Sequence, residues 1–218
     1  MNIMKMEGMR FPSESIVRLF YKEGLNEISN GKIIELGCGT ANHLILFAAN
    51  GWEVTGLDYD VENLRKAKNN LDVSGFSGNL IYHDLSNSLP FFSDQFNVLL
   101  APSSLYYLEK KFVKARLSEI NQYLSKDALI YIRMRLADDH RYGRGEKIDD
   151  ISWRLNIDYT NEFGLLNVFW PEHELVDLFF DVFNIPSNHL SITKTSYETK
   201  IKSMIIRNSD IEIWGRKK

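Results

Sequence analysis

A doubly wound α/β sheet of about seven strands is the fold the sequence predicts, and three observations predict it. Short apolar runs alternate with amphipathic stretches over the first two-thirds of the chain. A turn with two glycines separates the first run from the first helix. The last segments alternate apolar and polar residues, as half-buried antiparallel strands do. The sheet is therefore expected to be mostly parallel with an antiparallel C-terminal pair, and with helices on both faces.

Each element has its own signal. Ile33–Leu36 reads as a buried strand ending at Gly37. In 41–50, Leu44, Ile45, Phe47 and Ala48 form a helical stripe closed by Asn50-Gly51 as a C-cap. Glu53–Asp58 is a second strand, and Val61, Leu64, Ala67 and Leu71 mark a second helix over 61–71. Strands follow at 79–84, 96–101 and 128–134, with a helix at 110–124 between the last two. Residues 137–170 read as a long irregular stretch. Pro171 then opens a helix through Phe183, at its first turn, with Glu172 and Glu174 facing the positive end of the dipole. Segments 189–197 and 211–214 supply the antiparallel pair, and 13–21 forms an amphipathic helix before the core. The pattern is Rossmann-like.

The chain has 218 residues, which fits one domain with enough buried surface to need no disulfide or metal staple. Its organisation reads as an N-terminal helical lid (1–30), a ligand-binding core (31–136), an insertion (137–170) and a C-terminal helix with two strands (171–218). Cys38 is the only cysteine, which excludes an internal disulfide and a cysteine-clustered metal site. The net charge of −3 lacks the basic footprint of a nucleic-acid binder. No apolar run approaches the roughly 20 residues that cross a bilayer, and the first ten residues carry no secretory pattern, so a cytoplasmic location is expected.

The most informative segment is Glu35-Leu36-Gly37-Cys38-Gly39-Thr40-Ala41. Two glycines allow a sharp bend and close approach of a ligand. Asp58, at the end of the second strand, stands where an acid accepts from a ribose diol. A dinucleotide fingerprint wants glycine or alanine where Asn42 stands, and no Gly-Lys-Ser/Thr follows the turn, which excludes a P-loop. Glu35, Asp58 and Asp84 instead ring a site suited to a cationic nucleoside without phosphates, and S-adenosyl-L-methionine is such a ligand.

With these residues in view, the sequence resembles the class I S-adenosylmethionine-dependent methyltransferases, closely over 32–135. IIELGCGTA is similar to the family's glycine motif and VTGLDYD to its ribose-binding strand end. YHDLSNSLPFFSDQFNVLL is similar to its adenine-edge motif and fourth strand, and SSLYYL to the segment passing over the methyl group. The resemblance implies that Gly37, Cys38 and Gly39 lie under the methionine moiety with Glu35 near its amino group. It implies Asp58 on the ribose, Tyr59 along the adenine face, Asp84 on the exocyclic amine, the Leu85 backbone on the ring, and the Ala101 carbonyl near the ammonium. Asn97 stands in place of the family's usual aspartate, a structural position. Tyr106 replaces a frequent histidine, leaving Tyr106, Tyr107 and His140 as candidate bases.

The function so implied is methyl transfer to a small-molecule nucleophile, with a dinucleotide-dependent oxidoreductase or a catalytically silent binding protein as alternatives. No metal, nucleic-acid or membrane partner is expected. Trp153, Phe163 and Trp170 read as packing residues. Arg133, Arg135, Arg141 and Arg144 read as a solvated or acid-paired face, and Cys38 as a small buried side chain.

Overall fold

The computed structural model describes residues 5–93, 95–201 and 203–218. Residues 1–4 of the expected lid and Asp94 of the adenine-edge segment lie outside them. In chain order the elements are α1 (Glu14–Lys22), β1 (Lys32–Leu36), α2 (Asn42–Ala48), β2 (Glu53–Asp58), α3 (Val61–Ser74), β3 (Asn79–Tyr82) and β4 (Phe96–Ala101). There follow α4 (Lys110–Ile120), β5 (Leu124–Arg135), β6 (Gly145–Lys147), β7 (Ser152–Leu155), β8 (Leu166–Val168), α5 (Glu172–Phe183), β9 (Ser191–Ile201) and β10 (Met204–Arg216).

Seven strands form one sheet in the order β3-β2-β1-β4-β5-β10-β9. β1 pairs in parallel with β2 and β4, and β2 in parallel with β3. β10 runs antiparallel to β5 and to β9. The strand order reverses at β1, so the carboxyl ends of β1 and β4 mark the switch point where such sheets bind ligands.

The chain divides into two compact units, Met1–Leu100 with Tyr123–Ala128, and Ala101–Gln122 with Leu129–Lys218. In the first, Ile33, Ile34, Leu36, Val98, Leu99 and Leu100 are fully buried, which is why these strands are continuous apolar runs. α1 buries Ile16, Leu19 and Phe20, and Phe20 meets Phe47 edge-on at 5.0 Å. The helix at 61–71 extends to Ser74 because Asp60 caps its start, accepting from Glu62 N at 2.8 Å, and left-handed Gly75 ends it. β3 stops at Tyr82 rather than at Asp84, because Asp84 folds into a turn and accepts from Ser86 N at 2.8 Å. Asn97 joins β4 to β1, accepting from Lys32 N at 2.9 Å, while its amide donates to Ser125 Oγ.

In the second unit, β5 and the β9–β10 hairpin are longer than the alternation suggests. Asp210 pairs with Arg135 and the ladder continues to Arg216 on Leu129, so pairing carries strand structure through polar positions. The stretch 137–170 is not irregular throughout: β6, β7 and β8 form a three-stranded antiparallel sheet. Tyr142 meets Trp153 and Phe169 edge-on beside it, which explains the aromatics there. Pro171 is the N-cap of α5 rather than a first-turn residue, and Asn184 ends the helix in the left-handed region. Helix 110–124 stops at Ile120, and a 3-10 turn over Asn121–Tyr123 leads into β5.

α2 also differs from expectation. It ends at Ala48 with Ala49 as its cap, and it begins at Asn42, with Ala41 as its N-cap at φ 64°. A left-handed residue with a Cβ is strained by about 1 kcal/mol. Ala41→Gly is therefore expected to stabilise the chain by about 1 kcal/mol, read from the midpoint of urea unfolding; an unchanged midpoint would show that the strain is absent.

Candidate active site

In the first unit the glycine turn is folded back on β2. Gly37 N and Cys38 N both donate to Leu57 O, at 2.8 and 2.9 Å, and Gly39 N donates to Asp58 Oδ2 at 2.8 Å. Gly37 and Gly39 hold φ values of 76° and 52°, the left-handed region that glycine reaches freely. Three consecutive N–H groups thus point inward, whereas a phosphate cradle needs them pointing at the ligand. The arrangement does not suit a pyrophosphate and leaves the bend open to an apolar or cationic chain.

Asp58 is buried and its carboxylate organises the bend, with Oδ2 on Gly39 and Oδ1 accepting from Asp60 N at 2.9 Å. Each oxygen keeps a second lone pair for a hydroxyl donor. β2 and β3 end side by side, with His83 N donating to Asp58 O, which brings the Asp58 and Asp84 positions to one edge. Tyr59 between them is 66% exposed, so its ring is available to a ligand face. Leu85 is buried.

Glu35, at 1% exposure, is the most enclosed carboxylate of the site. Oε1 bonds His43 Nδ1 at 2.8 Å, while Oε2 is buried with no partner among the described residues. Burial pushes the Glu35 carboxyl above its ordinary value, with His43 opposing and Asp58 adding to the rise. An orphaned buried carboxylate oxygen is costly unless a cation meets it, and this is the feature that fits the amino end of the cofactor. Cys38 is buried against the same acids; burial and the charges of Glu35 and Asp58 push its thiol up, so it is inert.

The segment before α1 is fastened to the turn by polar side chains the sequence did not single out. Asn70, fully buried on α3, accepts from Glu7 N and donates to Glu7 O and Thr40 O. Thr40 Oγ1 donates to Met9 O and Asn42 Nδ2 to Phe11 O. Asn42, whose bulk argued against a dinucleotide, is thus a strap anchor.

The second unit holds the acceptor-side candidates. Tyr106 is buried, its ring 4.2 Å from the Arg135 guanidinium and its hydroxyl 3.5 Å from Arg135 Nη2. Arg135 bonds Asn167 and pairs with Glu162 at 2.6 Å. Glu162 also accepts from Tyr107 OH at 2.7 Å and from Arg141 Nε at 2.5 Å, and Arg141 reaches Asp139 at 3.0 Å. Arg133 pairs with Asp210. Three of the four arginines of interest are therefore acid-paired. Burial pushes the Tyr107 phenol up, which removes it as a base near neutrality.

His140 is clasped to one carbonyl, its N–H and its Nδ1 both within 2.9 Å of Arg207 O. A carbonyl only accepts, so Nδ1 carries the hydrogen and Nε2 holds the lone pair, buried and without a partner among the described residues. Burial lowers the imidazole below its ordinary value, with Arg141 and Arg135 contributing, while the Arg207 bond and Asp139 oppose. Tyr106 and His140 do not bond each other; Arg135, Glu162 and Arg141 form the chain of contacts between their surroundings. Ala101 ends β4 and is fully buried.

Comparison with known proteins agrees with this geometry. The methyltransferase-domain family model matches residues 33–127. An uncharacterized protein of Haemophilus influenzae is 27% identical over 158 residues, covering 67% of this chain; the chain spans 60% of that relative's length. A SAM-dependent methyltransferase from Methanosarcina mazei has the same fold, with a TM-score of 0.68 at 20% identity, covering 87% of this chain and 93% of that one. So does magnesium protoporphyrin IX methyltransferase from Synechocystis with bound SAM, with a TM-score of 0.56 at 13% identity, covering 93% of this chain and 77% of that one. No helix among the described residues is long and apolar enough to cross a membrane.

Glu162 supplies a test of the second unit. Arg135 and the bonds from Tyr107 and Arg141 outweigh burial and hold its carboxyl below the ordinary value. A group depressed in the folded state stabilises above its unfolded pKa, about 4.3, and that stability is lost as pH falls through the folded value. Glu162→Gln leaves the buried Arg135 guanidinium without its counter-charge, Arg141 keeping Asp139, and is expected to cost on the order of 3 kcal/mol at pH 7. The difference from wild type should shrink in unfolding titrations taken down from pH 5; a constant difference would rule out the charge as its source.

Proposed function

We propose that this chain, whose residues 33–127 match the methyltransferase-domain family model, moves the methyl group of S-adenosyl-L-methionine to a small-molecule nucleophile by in-line displacement. The observation that carries this reading is the glycine turn, whose Gly37, Cys38 and Gly39 N–H groups are committed inward beside a buried carboxylate with one oxygen unmatched. Those three groups offer a phosphate no donor, and a cation finds a waiting acceptor.

The donor supplies a methyl group already activated on a sulfonium. The chain's residues then have to bind it, orient it and keep water away, and proximity alone is worth roughly 7–11 kcal/mol. Glu35 takes the α-ammonium, with the Ala101 carbonyl as a second acceptor, while Gly37, Cys38 and Gly39 lie along the methionine chain. Asp58 accepts from the ribose diol, Tyr59 covers the adenine, Asp84 accepts from its exocyclic amine, and the Leu85 N–H donates to the ring. Residues 31–136 act as the donor core, 1–30 as a lid and 137–170 as the acceptor-side region.

On the acceptor side, His140 removes the proton of a nucleophile that arrives protonated, and Tyr106 positions it. His140 suits the task because Nε2 already holds the lone pair and its lowered pKa keeps the ring neutral through pH 7. The pairing of Arg133, Arg135 and Arg141 with Asp210, Glu162 and Asp139 supports an uncharged acceptor over a polyanion, as does the net charge of −3. The Synechocystis neighbour, whose acceptor is a porphyrin, supports the small-molecule class.

Calorimetry is expected to detect S-adenosylhomocysteine binding and none of NAD, and Asp58→Ala should weaken binding about 10- to 100-fold. With labelled donor and the small-molecule fraction of a cell extract, mass spectrometry should find a product heavier by one CH2. His140→Asn should slow its formation about 100-fold without changing S-adenosylhomocysteine affinity. Tight NAD binding with no heat from the homocysteine nucleoside would overturn the reading.

A further inference from the structure

One buried titratable side chain of the glycine turn has no part in the donor-binding roles above. His43 is the second residue of α2, 8% exposed, with Nδ1 2.8 Å from Glu35 Oε1. Its Nε2 is buried without a partner, as is Glu35 Oε2. Against an ionised Glu35, Nδ1 must be the donor. A second proton on the ring would place an N–H at Nε2 facing nothing, and a buried unmatched donor is costly. The neutral tautomer with hydrogen on Nδ1 therefore fits the surroundings.

The pair then carries one negative charge inside the protein. The other ionisable group felt at Glu35 is Asp58, an acid, which does not balance it. Burial and Asp58 both favour a protonated, neutral Glu35, and the hydrogen bond from His43 Nδ1 opposes them. A neutral Glu35 would bind a cation no better than an amide does. The bond also fixes which oxygen is engaged: Oε1 is held by the ring, and Oε2 is left as the acceptor.

We propose that His43 is a positioning residue for the methyl donor, holding Glu35 as a carboxylate with Oε2 reserved for the donor's α-ammonium. The inference rests on the reading that Glu35 takes that ammonium. It predicts that His43 affects only ligands that carry the amino-acid end. S-adenosylhomocysteine has that end, and 5′-methylthioadenosine keeps the adenosine thioether without it.

The test is calorimetry on the full chain with both ligands. His43→Leu should weaken S-adenosylhomocysteine about tenfold and leave 5′-methylthioadenosine unchanged within about twofold. His43→Asn, whose amide nitrogen takes the place of Nδ1, should restore most of the loss, and His43→Gln, whose amide falls at the Nε2 position, should not. If His43→Leu does not fold, the Asn and Gln variants decide between them. Equal loss for both ligands, or no loss for either, would overturn the proposal. Loss in Glu35→Gln without loss in His43→Leu or His43→Gln would remove His43 and keep the ammonium role of Glu35. Failure of the wild-type chain to bind either ligand would remove the donor site itself.

Discussion

The bond from Gly39 N to Asp58 Oδ2 is the constraint on which the donor site depends. It ties the bend after β1 to the end of β2, and the other Asp58 oxygen holds Asp60, which caps α3. One buried carboxylate thus sets the path of the turn, the end of a strand and the start of a helix. A charge-assisted bond to a backbone N–H is about twice as strong as a neutral one, so a single acid suffices. The same carboxylate keeps a lone pair on each oxygen, so the proposed contact with a diol would need no rearrangement of its structural bonds.

The inward direction of the turn's N–H groups follows from this constraint. Gly37 and Cys38 donate to Leu57 O, the carbonyl just before Asp58, so the bend is zipped onto β2 residue by residue. In a phosphate-binding turn the equivalent groups face the ligand and the helix dipole assists. Here the ligand side of the bend presents carbon and the carboxylates of Glu35 and Asp58.

Much of this was legible in the sequence, for stated physical reasons. Glu53–Asp58 and Phe96–Ala101 have the boundaries that their apolar runs and flanking turns imply, because strands buried on both faces leave a continuous signal. The β9–β10 hairpin was read short because its outer half is polar and exposed, and strand structure there comes from pairing rather than from burial. The three short strands within 137–170 escaped because each is only three or four residues long, too short for an alternation to show. At the site, Glu35, Gly37, Gly39 and Asp58 stood out through spacing. His43, Asn70 and Glu162 did not, because nothing local distinguishes a histidine in HLILF, an asparagine on a helix or a glutamate in a loop from solvated residues. Their roles are set by partners 8, 63 and 55 residues away in sequence, Glu35, Glu7 and Tyr107.

Glu162 shows what such a long-range partner accomplishes. Its two oxygens receive Tyr107, Arg135 and Arg141, so that a loop residue compensates the buried Arg135 guanidinium and shares Arg141 with Asp139. Arg135 in turn lies over the Tyr106 ring, and Arg141 lies beside His140. Tyr106 is thereby positioned through Glu162 and Arg135, whereas His140 is held by Arg207 O, its Nε2 buried without a partner among the described residues. Under the proposed role of His140 as base, a nitrogen left out of an otherwise saturated polar cluster is held in place by neighbours that do not consume it. Preorganisation of this kind requires both conditions together, since a base bonded to the cluster would first have to be released.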